Sequence, residues 1–408
     1  MTQPADRTAY PDGFLWGAST SAHQIEGNNV ASDVWALENR PGSLLTERSG
    51  DACDSYHRWR EDLDLLAGAG LDAYRFSVEW ARVEPTPGQV SKAELAHYRR
   101  MVEGCLERGV TPVVTLHHFT SPLWFRQAGG WTGPDAVELF RSYVRAVLPI
   151  LDGVEWVCTV NEPNMLALLT TLVTNPDVVG RERSELRADE LPPPDDATGD
   201  ALVAAHRAAR EELAAVPGLR SGWTVANQVF QPLVSDDAET SARAAAATRE
   251  WAWSREDRYL DAAKGDDFVG VQSYTRTVVG PDGPLPAPGD APRTETGWEY
   301  YPESIGHALR HTAELVGDTP LLVTENGIAT SDDAQRVAYL DGALDAVRGA
   351  LADGLDVRGY LHWSLLDNFE WGTWDAHFGL VAVDRDTFAR TPKPSLAHLG
   401  ARARAARA

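Results

Sequence analysis

Residues 155–163 read EWVCTVNEP, and residues 320–327 read PLLVTENG. In each, a short apolar, β-branched run stops abruptly in polar residues. Asn161 and Glu162 precede Pro163 in the first, and Glu325 and Asn326 precede Gly327 in the second. Near-continuous apolar runs of this length suit parallel strands, which are buried on both faces. Similar runs lie at 14–20, 71–80, 111–119, 222–229, 268–275 and 359–366; with 155–162 and 320–324 they make eight. Longer amphipathic stretches follow them, at 56–69, 92–108, 135–148, 200–215, 249–263, 303–316, 333–353 and 395–404. The first sets Leu63, Leu66 and Ala67 on one side and Arg58, Glu61 and Asp62 on another; Ser91 is placed to cap the second. Strand and helix in eightfold alternation predict an α/β fold, a single (β/α)8 TIM barrel forming one domain over residues 1–408.

Composition narrows the function classes. The chain has 408 residues and is 43% hydrophobic, enough for a large core. A formal net charge of −23 argues against nucleic acid or an anionic membrane as partner, since both need clustered Lys and Arg. No apolar run reaches the roughly eighteen residues of a membrane span. The opening MTQPADRTAYPDGF lacks the basic and apolar regions of a signal peptide, so a cytoplasmic protein is expected. Cys53, Cys105 and Cys158 are far apart and odd in number, which fits free thiols in a reducing compartment and no metal spacing. No cofactor and no metal are expected. The 14 Trp offer flat apolar faces with one N–H donor each, a good surface for stacking on a ligand.

Barrel active sites lie where the strands end, so the residues there carry the chemistry. Glu162 and Glu325 end the fourth and seventh strands, across the barrel mouth from one another. Either alone reads as a solvated charge or a helix-start residue. Two together, each beside an Asn, match what glycosidic bond cleavage requires: one carboxyl protonates the leaving oxygen and the other attacks the anomeric carbon, about 5–5.5 Å apart in a retaining enzyme. A pyranose also asks for polar side chains around its rim and an indole against its face. Gln24, His118, Asn161 and Glu370 are of the first kind at strand ends, and Trp363 and Trp371 of the second. Long segments without periodicity at 175–199, containing ELPPPDDATG, and at 280–298, containing GPDGPLPAPGDAP, are expected to shape the same face.

TVNEP and TENG together resemble the paired signatures of glycoside hydrolase family 1, the β-glucosidase family. FLWGASTSAHQIEG, YRFSVEW, TLHHF, GGW, FVGVQSY, TGWEYYPE and WSLLDNFEW are similar to further family motifs and stand in the family's order, so the likeness runs over nearly the whole chain. The resemblance implies a retaining β-glycosidase acting on a terminal β-linked, glucose-like sugar, with Glu162 as acid/base and Glu325 as nucleophile. It implies that Arg75 and Tyr274 hold Glu325 charged. Gln24 and Glu370 would grip hydroxyls remote from the anomeric carbon, His118 the middle of the ring and Asn161 the 2-hydroxyl, between Trp363 and Trp371. Family members acting on phosphorylated sugars carry small and basic residues where this chain has Phe369–Trp371; Glu370 would repel a phosphate. The expected partner is therefore a small, unphosphorylated β-glycoside.

The chain also departs from the family pattern. Gln272 and Ser273 stand where Asn-Tyr is usual, His23 where Tyr is common, and Asn164 where Trp commonly follows the Asn-Glu-Pro. These departures favour, as an alternative, a tailoring glycosidase or transglycosidase acting on a glycosylated specialised metabolite. A non-catalytic sugar-binding barrel is the alternative of another class; retention of both glutamates with Arg75 and Tyr274 argues against it. A metallohydrolase lacks any HExxH, a serine hydrolase any GxSxG, and a nucleotide enzyme any glycine-rich phosphate loop. Nothing in the sequence bears on oligomeric state.

Overall fold

A computed structural model describes residues 10–43, 45–174 and 191–408. Eight parallel strands close into a barrel: β1 (Leu15–Ser19), β2 (Ala73–Ser77), β3 (Thr111–Thr115), β4 (Trp156–Asn161), β5 (Arg220–Ala226), β6 (Val269–Gln272), β7 (Leu321–Glu325) and β8 (Val357–Trp363). Each pairs with its sequence neighbours, and β8 returns to β1 with Ser19 opposite Trp363. The eight runs read from the sequence are these eight strands. Around them stand α1 (Ser55–Gly68), α2 (Lys92–Glu107), α3 (Ala136–Val147), α4 (Asp196–Leu213), α5 (Ala238–Ala252), α6 (Ser304–Val316), α7 (Asp333–Ala352) and α8 (Pro394–Arg407). This is the (β/α)8 TIM barrel. Among the described residues no helix is long and apolar enough to cross a membrane.

Two apolar layers hold it together. The larger lies between strands and helices. In α3, Phe140, Tyr143, Val144 and Val147 recur at helical spacing and are all buried in it. The smaller joins Leu15, Ala73, Val113, Trp156, Cys158, Phe268, Leu322 and Leu361, side chains from or beside seven strands, and fills the barrel interior. The eighth strand, β5, brings Gly222 there, because a Cβ would stand 2.0 Å from the Phe268 carbonyl oxygen.

Several local readings are corrected. The helix expected at 200–215 begins four residues earlier, at Asp196, where Asp195 accepts a hydrogen bond from the Thr198 N–H at 2.7 Å. The helix expected at 249–263 begins at Ala238 and passes through a π-helical turn, Trp253–Asp257, into Arg258–Ala262. Residues Pro163–Thr174, for which the sequence suggests no element, form a helix directly after Glu162. Of the long segment at 175–199, residues 175–190 lie outside the described residues. The segment at 280–298 is partly ordered: Thr277–Gly280 and Gly283–Pro284 form a hairpin, and Phe230–Pro232 pairs alongside. Asp62 does not face solvent; it is buried and paired with Arg390 at 2.8 Å.

Candidate active site

The side chains at the barrel mouth are aimed by irregular pairing. In β4, Trp156 and Cys158 point inward, and strict alternation would send Asn161 outward. The register with β5 shifts between Cys158 and Asn161, Val160 joins the outer layer, and Asn161 turns inward. In β7, Leu322 points inward and Glu325, an odd number of residues later, does so too; its register with β6 shifts between Val323 and Glu325. Such bulges bend a strand and re-aim its side chains. Glu162, Phe119 and Trp371, all at the rim, hold left-handed backbone with φ of 46°, 66° and 48°. A non-glycine residue there is strained by about 1–3 kcal/mol, which the surrounding packing has to offset.

Arg75 lies at the centre and is completely buried. Its Nη1 donates to Glu325 Oε1 at 2.6 Å, its Nη2 to Asn161 Oδ1 at 2.6 Å, and its Nε to Thr115 Oγ1 at 3.0 Å. Tyr274 donates its hydroxyl to the other Glu325 oxygen at 2.5 Å. Thr224 Oγ1 (2.9 Å) and Gln272 Nε2 (3.0 Å) also donate to Asn161 Oδ1. With Arg75 a donor only, that oxygen must face these groups, so the Asn161 amide N–H faces His118 Nε2 at 3.2 Å. His118 is neutral, since burial and the nearby Arg75 push its pKa far down. Its proton then sits on Nδ1, which has no partner among the described residues, nor has the buried Gln272 Oε1.

The two glutamates sit in unlike fields. Burial, and then the charge of Glu325, push the Glu162 carboxyl well above the usual carboxylate range, with Glu370 adding to the rise. Burial raises Glu325 as well, but Arg75, Tyr274 and Gln272 pull it back. Both carboxyls are raised, Glu162 the more, so the field favours a shared proton on Glu162 over Glu325.

The other residues expected from the sequence lie near this pair. Trp363 Nε1 donates to Glu370 Oε1 at 3.0 Å, and the Trp363 ring lies near-parallel to His118 at 5.8 Å. Trp371 lies parallel to His23 at 5.8 Å and edge-on to Phe119 at 5.0 Å. His117 points elsewhere, toward Ser121 at 2.9 Å and Trp131. Gln24 is more constrained than its residue type suggests. Its Nε2 donates to Asn368 Oδ1 and to the Phe369 carbonyl, both at 2.9 Å, and its Oε1 accepts from Ser21 at 2.7 Å. It can offer a ligand one acceptor lone pair. Thr115, read only as part of a motif, and Thr224, not singled out in the sequence, support Arg75 and Asn161 from the two strands that flank β4. Trp298, beside Tyr274 at 5.7 Å and partly exposed, was read only as part of a motif.

Comparison with known proteins bears on the family of the chain. The family model described as "Glycosyl hydrolase family 1" matches residues 6–189 and 274–405. "Beta-glucosidase A" of Thermotoga maritima is 30% identical, over 95% of this chain and 96% of its own. "Beta-glucosidase" of Agrobacterium sp. is 32% identical, over 97% and 95%. Among solved structures, beta-glycosidase BGL167 is 46% identical with a TM-score of 0.86 and covers 97% of each chain. The beta-glycosidase from Pyrococcus horikoshii is 33% identical with a TM-score of 0.86, covering 98% of this chain and 96% of its own.

Proposed function

The chain belongs to glycosyl hydrolase family 1 and is a glycoside hydrolase acting on small-molecule β-glycosides, and from that premise we propose that it is a retaining enzyme, cleaving a terminal, glucose-like sugar by double displacement. The observation that carries this reading is the unequal treatment of two carboxyls at one barrel mouth. Glu325 is gripped by Arg75 at 2.6 Å and Tyr274 at 2.5 Å, while Glu162 has burial and a neighbouring negative charge to keep its proton. Glu325 attacks the anomeric carbon as Glu162 protonates the departing oxygen. The resulting ester removes the charge of Glu325, so Glu162 loses its proton more readily and serves as base for the incoming water. Asn161 binds the 2-hydroxyl and His118 the middle of the ring. Gln24 and Glu370, both acceptors, take the remote hydroxyls, against the indoles of Trp363 and Trp371. The carboxylate of Glu370 disfavours a phosphorylated sugar. The buried, unpaired Cys53, Cys105 and Cys158 suit a reducing, cytoplasmic setting.

The test is the stereochemistry of rescue. Proton NMR of early product should show the β-anomer first. With Glu325→Gly, azide should restore turnover and yield an α-glycosyl azide. With Glu162→Ala and a dinitrophenyl glycoside, azide should yield the β-glycosyl azide, because a small anion attacks the glycosyl-enzyme without a base. Exchange of the two products would reverse the roles; near-normal hydrolysis by both variants would move the active site elsewhere.

A further inference from the structure

Asn164 follows Glu162 by two residues, on the first turn of the helix Pro163–Thr174, and is 1% exposed. Both of its amide N–H groups and its amide oxygen are bonded. Nδ2 donates to the Ala226 carbonyl at 2.9 Å and to the Arg255 carbonyl at 2.7 Å, and Oδ1 accepts from the Ala226 N–H at 3.2 Å. Carbonyls only accept and peptide N–H groups only donate, so the amide has one possible orientation. One step back, the Glu162 N–H donates to the Thr224 carbonyl at 2.8 Å. Two attachments to β5, at Thr224 and at Ala226, thus bracket the residue whose φ is 46°. Left-handed backbone at a glutamate persists only where its surroundings over-determine it, and the bracket does so.

The second residue that Asn164 bonds, Arg255, is itself anchored. Arg255 lies in the π-helical turn Trp253–Asp257, a geometry often found beside functional sites. Its neighbour Glu256 is buried and accepts from Asn227 Nδ2 at 2.8 Å and the Gln228 N–H at 3.0 Å, both just past the end of β5. Helix start, strand end and wide turn therefore meet on one side chain. Glu325 is held from another side, by Arg75 and Tyr274.

We propose that Asn164 is a positioning residue for the acid/base: it locks the peptide after Glu162 so that the carboxyl stays aimed at the departing oxygen. The inference rests on the acid/base reading of Glu162. Its consequence is selective, because proton transfer needs hydrogen-bond reach whereas nucleophilic attack by Glu325 does not depend on this bracket.

The experiment compares the full-length protein with Asn164→Ala, Asn164→Ser and Glu162→Ala on phenyl and dinitrophenyl β-glucosides. The readouts are kcat/KM, which reports the first chemical step, and the melting temperature. For Asn164→Ala, the value on phenyl glucoside should fall about 10- to 100-fold, the scale of a misplaced catalytic group, against less than about 3-fold on dinitrophenyl glucoside. Asn164→Ser keeps one donor, should fall between, and serves alone if the alanine variant does not fold. The basic limb of the pH profile should move to lower pH, as a loosened Glu162 gains water and loses part of the burial that raises it. Equal losses on both substrates, or no loss on either, would overturn the proposal. Glu162→Ala reports on the underlying reading separately: if it shows no leaving-group dependence, the acid/base assignment itself is wrong.

Discussion

Arg75 donates from all three of its guanidinium nitrogens: Nη1 to Glu325, Nη2 to Asn161 and Nε to Thr115, at 2.6, 2.6 and 3.0 Å. Lysine, a point charge on a flexible stem, cannot reproduce that fork, and a neutral residue leaves a buried carboxyl with no cation. The sign of the consequence follows. Burial raises the Glu325 carboxyl and Arg75 pulls it down. In Arg75→Met the pull is gone, the pKa rises, and the Glu325 carboxylate that the proposed mechanism needs forms only at higher pH. The acid limb of kcat/KM against pH should move upward, and the value at neutral pH should fall about 10²–10³-fold, the scale for losing a preorganised charge-stabilising donor. An unmoved acid limb would mean that Tyr274 alone keeps the carboxyl ionised.

Elements are joined at this barrel by buried charge as well as by apolar packing. Asp62 on α1 accepts from Arg390, in the short strand Arg390–Pro392, at 2.8 and 3.3 Å, and from Ser55 at 2.8 Å; both charged side chains are fully buried. This pair ties the strand that precedes α8 back to the first helix, across most of the chain. Asp62→Ala would leave a guanidinium buried without its anion and should destabilise the protein by about 3–5 kcal/mol in urea unfolding. Replacing both partners, Asp62→Leu with Arg390→Met, should lose much less, because no charge is then stranded. A double variant as unstable as the single one would mean that the hydrogen bonds, rather than the stranded charge, set the loss.

At the scale of the whole molecule, 60 acidic residues against 37 basic ones leave a formal charge of −23. Local pairs such as Arg141 and Arg145 around Glu212, with contacts at 2.5 and 3.0 Å, relieve it only within their reach. Self-repulsion of the folded surface should dominate at low salt, where the screening length is long. Raising NaCl to about 0.5 M should therefore raise the melting temperature by roughly 1–3 °C. A fall instead would show that the surface ion pairs outweigh the repulsion.

Much of this was legible in the sequence alone. Apolar runs with polar stops disclose eight strands, because a strand buried on both faces has to be apolar and a strand end at the barrel mouth does not. Glu162, Glu325 and Tyr274 stand at or just past those stops; Arg75 lies within β2, not at its end as the sequence reads, and the structure brings Arg75 and Tyr274 onto Glu325. What only the tertiary structure decided is direction and coupling. Strict alternation would turn Asn161 and Glu325 away from the barrel axis; the bulges in β4 and β7 turn them in, and a bulge is set by the register of neighbouring strands rather than by the run itself. Asp62 reads as a surface charge until Arg390, remote in sequence, is folded against it. Gln24 reads as a two-sided amide until Asn368 and Phe369 arrive to take its N–H groups. The bracket on Asn164 draws on β5 and on a wide turn far along the chain. A residue's type and local period follow from its near neighbours, but its partners come from segments that only the closed barrel brings together.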